Sequence, residues 1–95
     1  MKGTVTLIVP CYNEEESLPI FYHAVCDVAQ TLPDYQMTFL LINDGSKDNT
    51  LQIMRDLAAK DERVKYLSFS RNFGKEAAMY AGFCNAEGDY VAVMD

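Results

Sequence analysis

The sequence predicts an α/β fold, a doubly wound and mainly parallel sheet with helices on both faces. Four apolar segments have the length and residue types of buried strands. Three segments with apolar residues at helical spacing separate them, so strands and helices alternate along the chain. Turn-forming residues punctuate the segments. The order βαβαβαβ implies right-handed crossovers between parallel strands.

The first strand is the apolar run that reaches Val9. Successive β-branched and aliphatic residues are typical of a strand buried on both faces. Pro10 is expected to end this strand, because proline has no N–H to donate to the ladder. Residues 11–16 then lie beyond the carboxyl end of the strand, where open α/β sheets bind their ligands. We therefore expect the functional site to include this loop.

Three helix–strand units follow the first strand. Helices are predicted over residues 17–31, from candidate N-caps at 46–49 to about residue 60, and over residues 76–86. Strands are predicted over residues 37–42, 64–69 and 90–94. Residues 1–95 form one domain in this interpretation. Because residue 95 would end a strand at the ligand-binding edge, we expect the domain to be incomplete at its C-terminus.

Composition narrows the classes of function. The net charge of −6 excludes the basic surface typical of nucleic-acid binders. Three cysteines without C-x-x-C spacing favour reduced thiols. Neither a signal peptide nor a run of about 18 apolar residues is visible in the sequence. We therefore expect a cytoplasmic chain. The hydrophobic fraction of 49% is high for so short a domain, and indicates apolar surface that needs a partner.

Four motifs occur in a characteristic order: VPCYNEE at residues 9–15, NDGSKDNT at 43–50, RNFGKE at 71–76 and YVAVMD at 90–95. Together they resemble the N-terminal, nucleotide-binding half of family 2 glycosyltransferases with the GT-A fold. The resemblance extends in particular to the polyprenol-phosphate branch, the dolichol-phosphate mannosyltransferases and undecaprenyl-phosphate glucosyltransferases. It covers essentially the whole chain.

The resemblance implies an inverting transfer of a sugar from a UDP-glucose or GDP-mannose type donor to an acceptor, with polyprenyl phosphate as the expected one. The parent protein would then work at the cytoplasmic face of a membrane. The acceptor site and any catalytic base would lie beyond residue 95, so we expect no catalytic residue within this chain. The nucleotide-binding residues would be Pro10, Tyr12, Asn13, Glu14, Asp44, Arg71 and Lys75.

Several of these residues have a chemical reason to bind a nucleoside, and each has an alternative structural role. Tyr12 offers a flat face to a base or ribose, or is an ordinary half-buried ring. Glu14 can accept from ribose hydroxyls, or lies near a helix N-terminus where negative charge is favourable. Asp44 can accept from a base N–H, or forms an Asx-turn into Gly45.

A diphosphate requires nearby positive charge or a metal. Arg71 and Lys75 are the only pair of cations expected at the carboxyl edge of the sheet, and their alternative role is that of solvated loop residues. Asp95 would be the first aspartate of the family's D-x-D motif, which binds Mg²⁺ or Mn²⁺. One such ligand does not complete a metal site, so the cation is expected in the full-length protein.

Other classes fit less well. A dinucleotide-binding dehydrogenase requires G-x-G-x-x-G after the first strand, which is missing, and a receiver domain would carry aspartates where Pro10 and Ser68 stand. Two alternatives remain open: a nucleotide-binding or oligomerisation module without catalysis, and a sugar-nucleotide pyrophosphorylase, although its glycine-rich basic loop is absent. We also expect self-association into a homo-oligomer, because the fourth strand should be central in a complete sheet.

Overall fold

The computed structural model describes residues 3–94, and the predicted alternation of strands and helices is confirmed there. The elements are β1 (Gly3–Cys11), α1 (Ser17–Gln30), β2 (Tyr35–Asn43), α2 (Thr50–Lys60), β3 (Val64–Ser68), α3 (Lys75–Asn85) and β4 (Tyr90–Val93). Apart from a residue or two at their ends, they coincide with the predicted segments. The fold class is therefore confirmed as α/β.

All strand pairs are parallel, and the order in the sheet is β3-β2-β1-β4. β1 and β2 are the long central pair, aligned from Gly3 with Tyr35 to Cys11 with Asn43. Because the strands are parallel, the loops that follow β1, β2 and β3 all emerge at the same edge of the sheet. The candidate site lies at this edge.

Helices cover both faces of the sheet. Alternate residues of a strand point to opposite faces, so β1 and β2 contribute to two apolar cores. The larger core joins one face to α1 and α2, with Leu7, Val9, Phe39, Leu41, Leu18, Val25, Met54 and Leu57 among its buried members. The smaller core joins the other face to α3 through Ile8, Leu40, Ile42 and Ala78.

α3 lies unusually close to the sheet at Gly82. A Cβ atom at this position would be 2.5 Å from Cγ2 of Ile8, well inside van der Waals contact. Gly82 is therefore required by packing rather than by its backbone conformation. The close contact fixes the distance of α3 from the sheet, and with it the position of the loop that leads into the N-terminus of α3.

Pro10 does not end β1, contrary to the sequence prediction. The strand continues to Cys11, in register with β2. Alternate residues of a parallel strand direct their backbone groups to opposite neighbouring strands. Since the Ile8 carbonyl accepts the N–H of Met94, the even-numbered residues of β1 direct their backbone N–H and C=O groups toward β4. The missing N–H of Pro10 thus lies past the last β1–β4 pair, Ile8 with Val93, and leaves the β2 ladder intact.

None of the helices within residues 3–94 is long and apolar enough to span a membrane.

Candidate functional site

A cavity of about 280 Å³ opens at the carboxyl edge of the sheet. Its lining residues come from the end of β1, the loop after it, the end of β2 and the start of α3: Pro10, Cys11, Tyr12, Glu14, Asp44 and Lys75. Five of these six are predicted nucleotide-binding residues, which lie up to 65 positions apart in the chain (75 − 10). The fold therefore brings most of the predicted set into one cavity.

A larger cavity of about 320 Å³ lies beside it and shares Pro10, Cys11 and Glu14. The rest of its lining is mainly apolar and includes Phe21 and Met94. A nucleoside diphosphate requires cations and hydrogen-bonding groups, which Asp44 and Lys75 supply in the smaller cavity. We therefore place the candidate nucleoside site in the smaller cavity.

Asp44 is the most buried charged group of the site, with 3% of its surface exposed. Its carboxylate accepts backbone N–H groups from the loop after β3: Oδ1 accepts from Phe73 at 2.8 Å, and Oδ2 accepts from Gly74 at 3.0 Å. The side-chain amide of Asn72 adds a donor to Oδ2 at 3.3 Å. The side chain thus joins the end of β2 to the loop that leads into α3.

The N–H of Ser46, which an Asx-turn of Asp44 would use, donates to the neighbouring residue Asn43 instead. Oδ1 of Asn43 accepts the backbone N–H of Ser46 at 3.0 Å, while Nδ2 donates to the hydroxyl of Ser68 at 3.0 Å. The structural alternative for Asp44 was therefore wrong in its detail. The carboxylate has a structural role, but that role is between loops and not within its own turn.

Gly45 makes the contact between these two loops possible. Its φ of 69° lies in the left-handed region. A Cβ atom there would be 2.1 Å from the carbonyl carbon of Arg71 and 2.3 Å from the nitrogen of Asn72. Both the conformation and the close approach therefore require glycine, and the turn after β2 packs directly on the backbone of the loop after β3.

Tyr12 and Glu14 lie on the exposed side of the cavity. Tyr12 is 41% exposed and lines the cavity, so its side chain is accessible to a ligand. Glu14 is exposed, and its carboxylate accepts a hydrogen bond from the hydroxyl of Ser17, the first residue of α1. This bond agrees with the structural alternative for Glu14, a carboxylate near a helix N-terminus, and leaves further acceptor capacity on the side chain.

Asn13 does not line the cavity, although it was predicted to bind nucleotide. It has a φ of 53°, in the left-handed region. Its N–H donates to the hydroxyl of Ser46 at 2.9 Å, and its Oδ1 accepts the N–H of Lys47 at 2.8 Å. These bonds tie the loop after β1 to the loop after β2.

Arg71 and Lys75 differ in position. Lys75 lines the cavity, whereas the guanidinium of Arg71 stacks 4.6 Å from the ring centroid of Phe73, whose ring in turn meets Phe69 edge-on at 5.7 Å. Lys47, in the loop after β2, also lies at this edge of the sheet. The prediction that Arg71 and Lys75 are the only pair of cations at this edge was therefore wrong.

Cys11 was not predicted as a site residue, but it belongs to the apolar core and also borders the cavity. The thiol is 3% exposed. Burial, together with the negative charge of Glu14, raises the pKa of Cys11 to about 12, so the group is neutral at physiological pH. Its contribution to the cavity is therefore shape and not charge. Asn43 and Asn72 were also missed, because nothing local in the sequence indicates a contact between loops.

A divalent metal receives little support from this part of the chain. Within residues 3–94, no group of three or more His, Cys, Asp or Glu side chains is arranged to hold a metal ion. Asp95, the predicted ligand, lies outside the described residues.

Comparisons with known proteins agree with the fold and the motifs. The chain is 48% identical over 91 residues to the bactoprenol glucosyl transferase of Shigella phage SfV, an alignment that covers 96% of this chain and 29% of that protein. The crystal structure of residues 1–349 of S. aureus TarS in complex with UDP superposes with a TM-score of 0.80 at 25% identity, covering 97% of this chain and 27% of that chain. The mannosyltransferase PcManGT from Pyrobaculum calidifontis, in complex with GDP-Man and Mn²⁺, gives a TM-score of 0.72 at 21% identity, over 96% of this chain and 26% of that one.

The parallel sheet and its covering helices define a glycosyltransferase fold of the GT-A type. The model of glycosyl transferase family 2 matches residues 6–95, and the chain belongs to this family. It spans less than a third of the length of the curated relatives it matches.

Proposed function

We propose that this chain forms the nucleoside-binding part of a glycosyltransferase that takes a sugar from a UDP- or GDP-linked donor. The observation that carries the proposal is the cavity at the carboxyl edge, which gathers Pro10, Tyr12, Glu14, Asp44 and Lys75. Family membership supports glycosyl transfer over the pyrophosphorylase alternative. The UDP bound to the similar TarS structure supports a nucleoside diphosphate as the ligand.

The side chains of the cavity suit the parts of a nucleotide. The exposed ring of Tyr12 can stack on a base or ribose, and Glu14 can accept from ribose hydroxyls. Each carboxylate oxygen offers two lone pairs, and Oδ1 of Asp44 uses one for the N–H of Phe73. The other can accept a base N–H in a desolvated setting, where such bonds are strong. Lys75 and Arg71 would attract the diphosphate.

We further propose that the acceptor is a polyprenyl phosphate, and that the whole protein works at the cytoplasmic face of a membrane. The 48% identity to a bactoprenol glucosyl transferase supports the acceptor part of this proposal. The acceptor site and any catalytic base belong to the remainder of a longer protein, in which residues 1–95 are the incomplete nucleotide-binding part. A Mg²⁺ or Mn²⁺ ion held partly by Asp95 would neutralise charge on the departing nucleoside diphosphate.

Tyr12 provides the test of the nucleoside site. Loss of base stacking costs about 1–3 kcal/mol, so Tyr12→Ala should raise the Kd for UDP or GDP by roughly five- to a hundredfold in calorimetric titrations of the full-length protein. Tyr66→Ala is the matched control, because Tyr66 has a similar exposure, 37% against 41%, but lies within β3 outside the cavity. Equal Kd values for the two variants would place the nucleoside elsewhere.

The metal has a separate test. Mn²⁺ should add little to nucleotide affinity in the 95-residue chain and much in the full-length protein, where the remaining ligands are present. Titrations with and without Mn²⁺ in both proteins measure this difference. Equal enhancement in the two would remove Asp95 from the metal site.

A further inference from the structure

We infer that Ser46, Asp48 and Thr50 are positioning residues, which hold the loop of residues 12–15 in the conformation that binds the nucleoside. This inference rests on the proposed function. None of the three side chains lines the nucleoside cavity. They act on the ligand through the backbone that carries Tyr12 and Glu14.

Three consecutive backbone N–H groups of the loop donate to these three side chains. Asn13 donates to Oγ of Ser46 at 2.9 Å, and Glu14 donates to Oγ1 of Thr50 at 2.8 Å. Glu15 donates to Oδ2 of Asp48 at 3.3 Å. Residues 46, 50 and 48 thus accept in turn from residues 13, 14 and 15, and every acceptor belongs to the segment between β2 and the first residue of α2.

Thr50 is the centre of this arrangement. It is completely buried, and its hydroxyl accepts from the N–H of Glu14 while donating to Oδ1 of Asp48 at 2.5 Å. The Asp48 carboxylate therefore fixes the direction of the hydroxyl proton and turns a lone pair toward Glu14. Desolvation opposes ionisation of Asp48, but hydrogen bonds from Thr50 and from the Glu15 N–H outweigh it and lower the pKa of the carboxyl.

The loop turns at Asn13. This residue has a positive φ of 53°, in the left-handed region that asparagine adopts more readily than most other residues. The N–H of Lys47 donates back to Oδ1 of Asn13 at 2.8 Å, so the two loops are joined in both directions. Tyr12 precedes this residue and Glu14 follows it, so the position of both ligand-binding side chains depends on the same turn.

Thr50→Val tests the inference, because valine keeps the shape and removes the hydroxyl. In the full-length protein, well below its Tm, we expect the Kd for UDP or GDP to rise about fivefold, the equivalent of one hydrogen bond, with a similar rise in KM and little change in kcat. Amide exchange at residues 13–15 should accelerate in the absence of nucleotide. Thr50→Ser, which restores the hydroxyl, should return both measurements to within about twofold of the parent value.

Thr31→Val is the matched control. It removes a threonine hydroxyl that donates to the carbonyl of Val28 at the far end of α1, and it should leave nucleotide affinity unchanged. Should Thr50→Val not fold, Ser46→Ala removes the acceptor for Asn13 at a more exposed position and is expected to give the same effects.

The outcomes separate the inference from the proposed function. A parent protein that binds neither UDP nor GDP overturns the proposed function, and the inference with it. A parent that binds, together with a folded Thr50→Val or Ser46→Ala variant whose Kd and amide exchange are unchanged, overturns the inference alone. Equal weakening by Thr50→Ser or by Thr31→Val would likewise show that the hydroxyl of Thr50 has no specific part in positioning the loop.

Discussion

Replacing Asp44 by asparagine should destabilise the domain as well as weaken nucleotide binding. Both carboxylate oxygens accept a backbone N–H, from Phe73 on one side and Gly74 on the other. An amide has a single oxygen, so one of the two part-buried donors loses its acceptor whichever way the amide is turned. An Asx-turn role alone would predict an unchanged Tm, because an amide oxygen caps a turn as well as a carboxylate does.

The expected magnitude follows from this unsatisfied donor. Leaving a buried donor without an acceptor costs about 1–3 kcal/mol, and the lower end, about 1 kcal/mol, applies here because both bonds are part-buried. A change of 1 kcal/mol shifts the Tm of a domain of this size by roughly 4–8 °C. Asp44→Asn should therefore lower the Tm of the 95-residue chain by at least about 4 °C.

Thermal unfolding followed by circular dichroism measures the effect, with Asp27→Asn as the control. Asp27 is exposed on α1, and the same substitution there should change the Tm little. If the Tm of Asp44→Asn equals that of Asp27→Asn, the carboxylate of Asp44 does not join the two loops. If it then still weakens UDP or GDP binding, the carboxylate contacts the base without a structural role.

Three further predictions concern other parts of the molecule. Alkylation at pH 8 should modify the exposed Cys84 rapidly and Cys11 only on unfolding, as mass spectrometry would show, because Cys11 is buried with a pKa of about 12. Hydrogen bonds from Arg63 lower the pKa of Asp61 against the opposing effect of desolvation. The ionised Asp61 carboxylate therefore stabilises the fold above about pH 4, and this stabilisation is lost as the pH falls further. The difference in Tm between the parent and Asp61→Asn should shrink from pH 6 to pH 2, and a constant difference would contradict this. Apolar exposure along β4 should make the 95-residue chain self-associate, and light scattering that shows a monomer at high concentration would refute it.

The sequence was sufficient to predict the elements of the fold. Buried strands and amphipathic helices carry distinct periodicities, so their order could be recognised from local residue patterns. Parallel pairing then follows from the alternation of strands with helices, since the crossovers leave few other topologies. The same reasoning placed residues 11–16 and Asp44 at one edge of the sheet, and the cavity found there contains most of the predicted residues.

Only the tertiary structure decided how those residues are used. Asp44 faces Phe73 and Gly74, and Thr50 faces Glu14, across gaps of 29, 30 and 36 positions in the sequence. No local pattern encodes such partners, because the register of parallel strands and the packing of α3 determine which loops meet. The continuation of β1 through Pro10 has the same origin: a missing N–H interrupts a strand only if a neighbouring strand lies opposite it, and the sheet order determines where that neighbour ends.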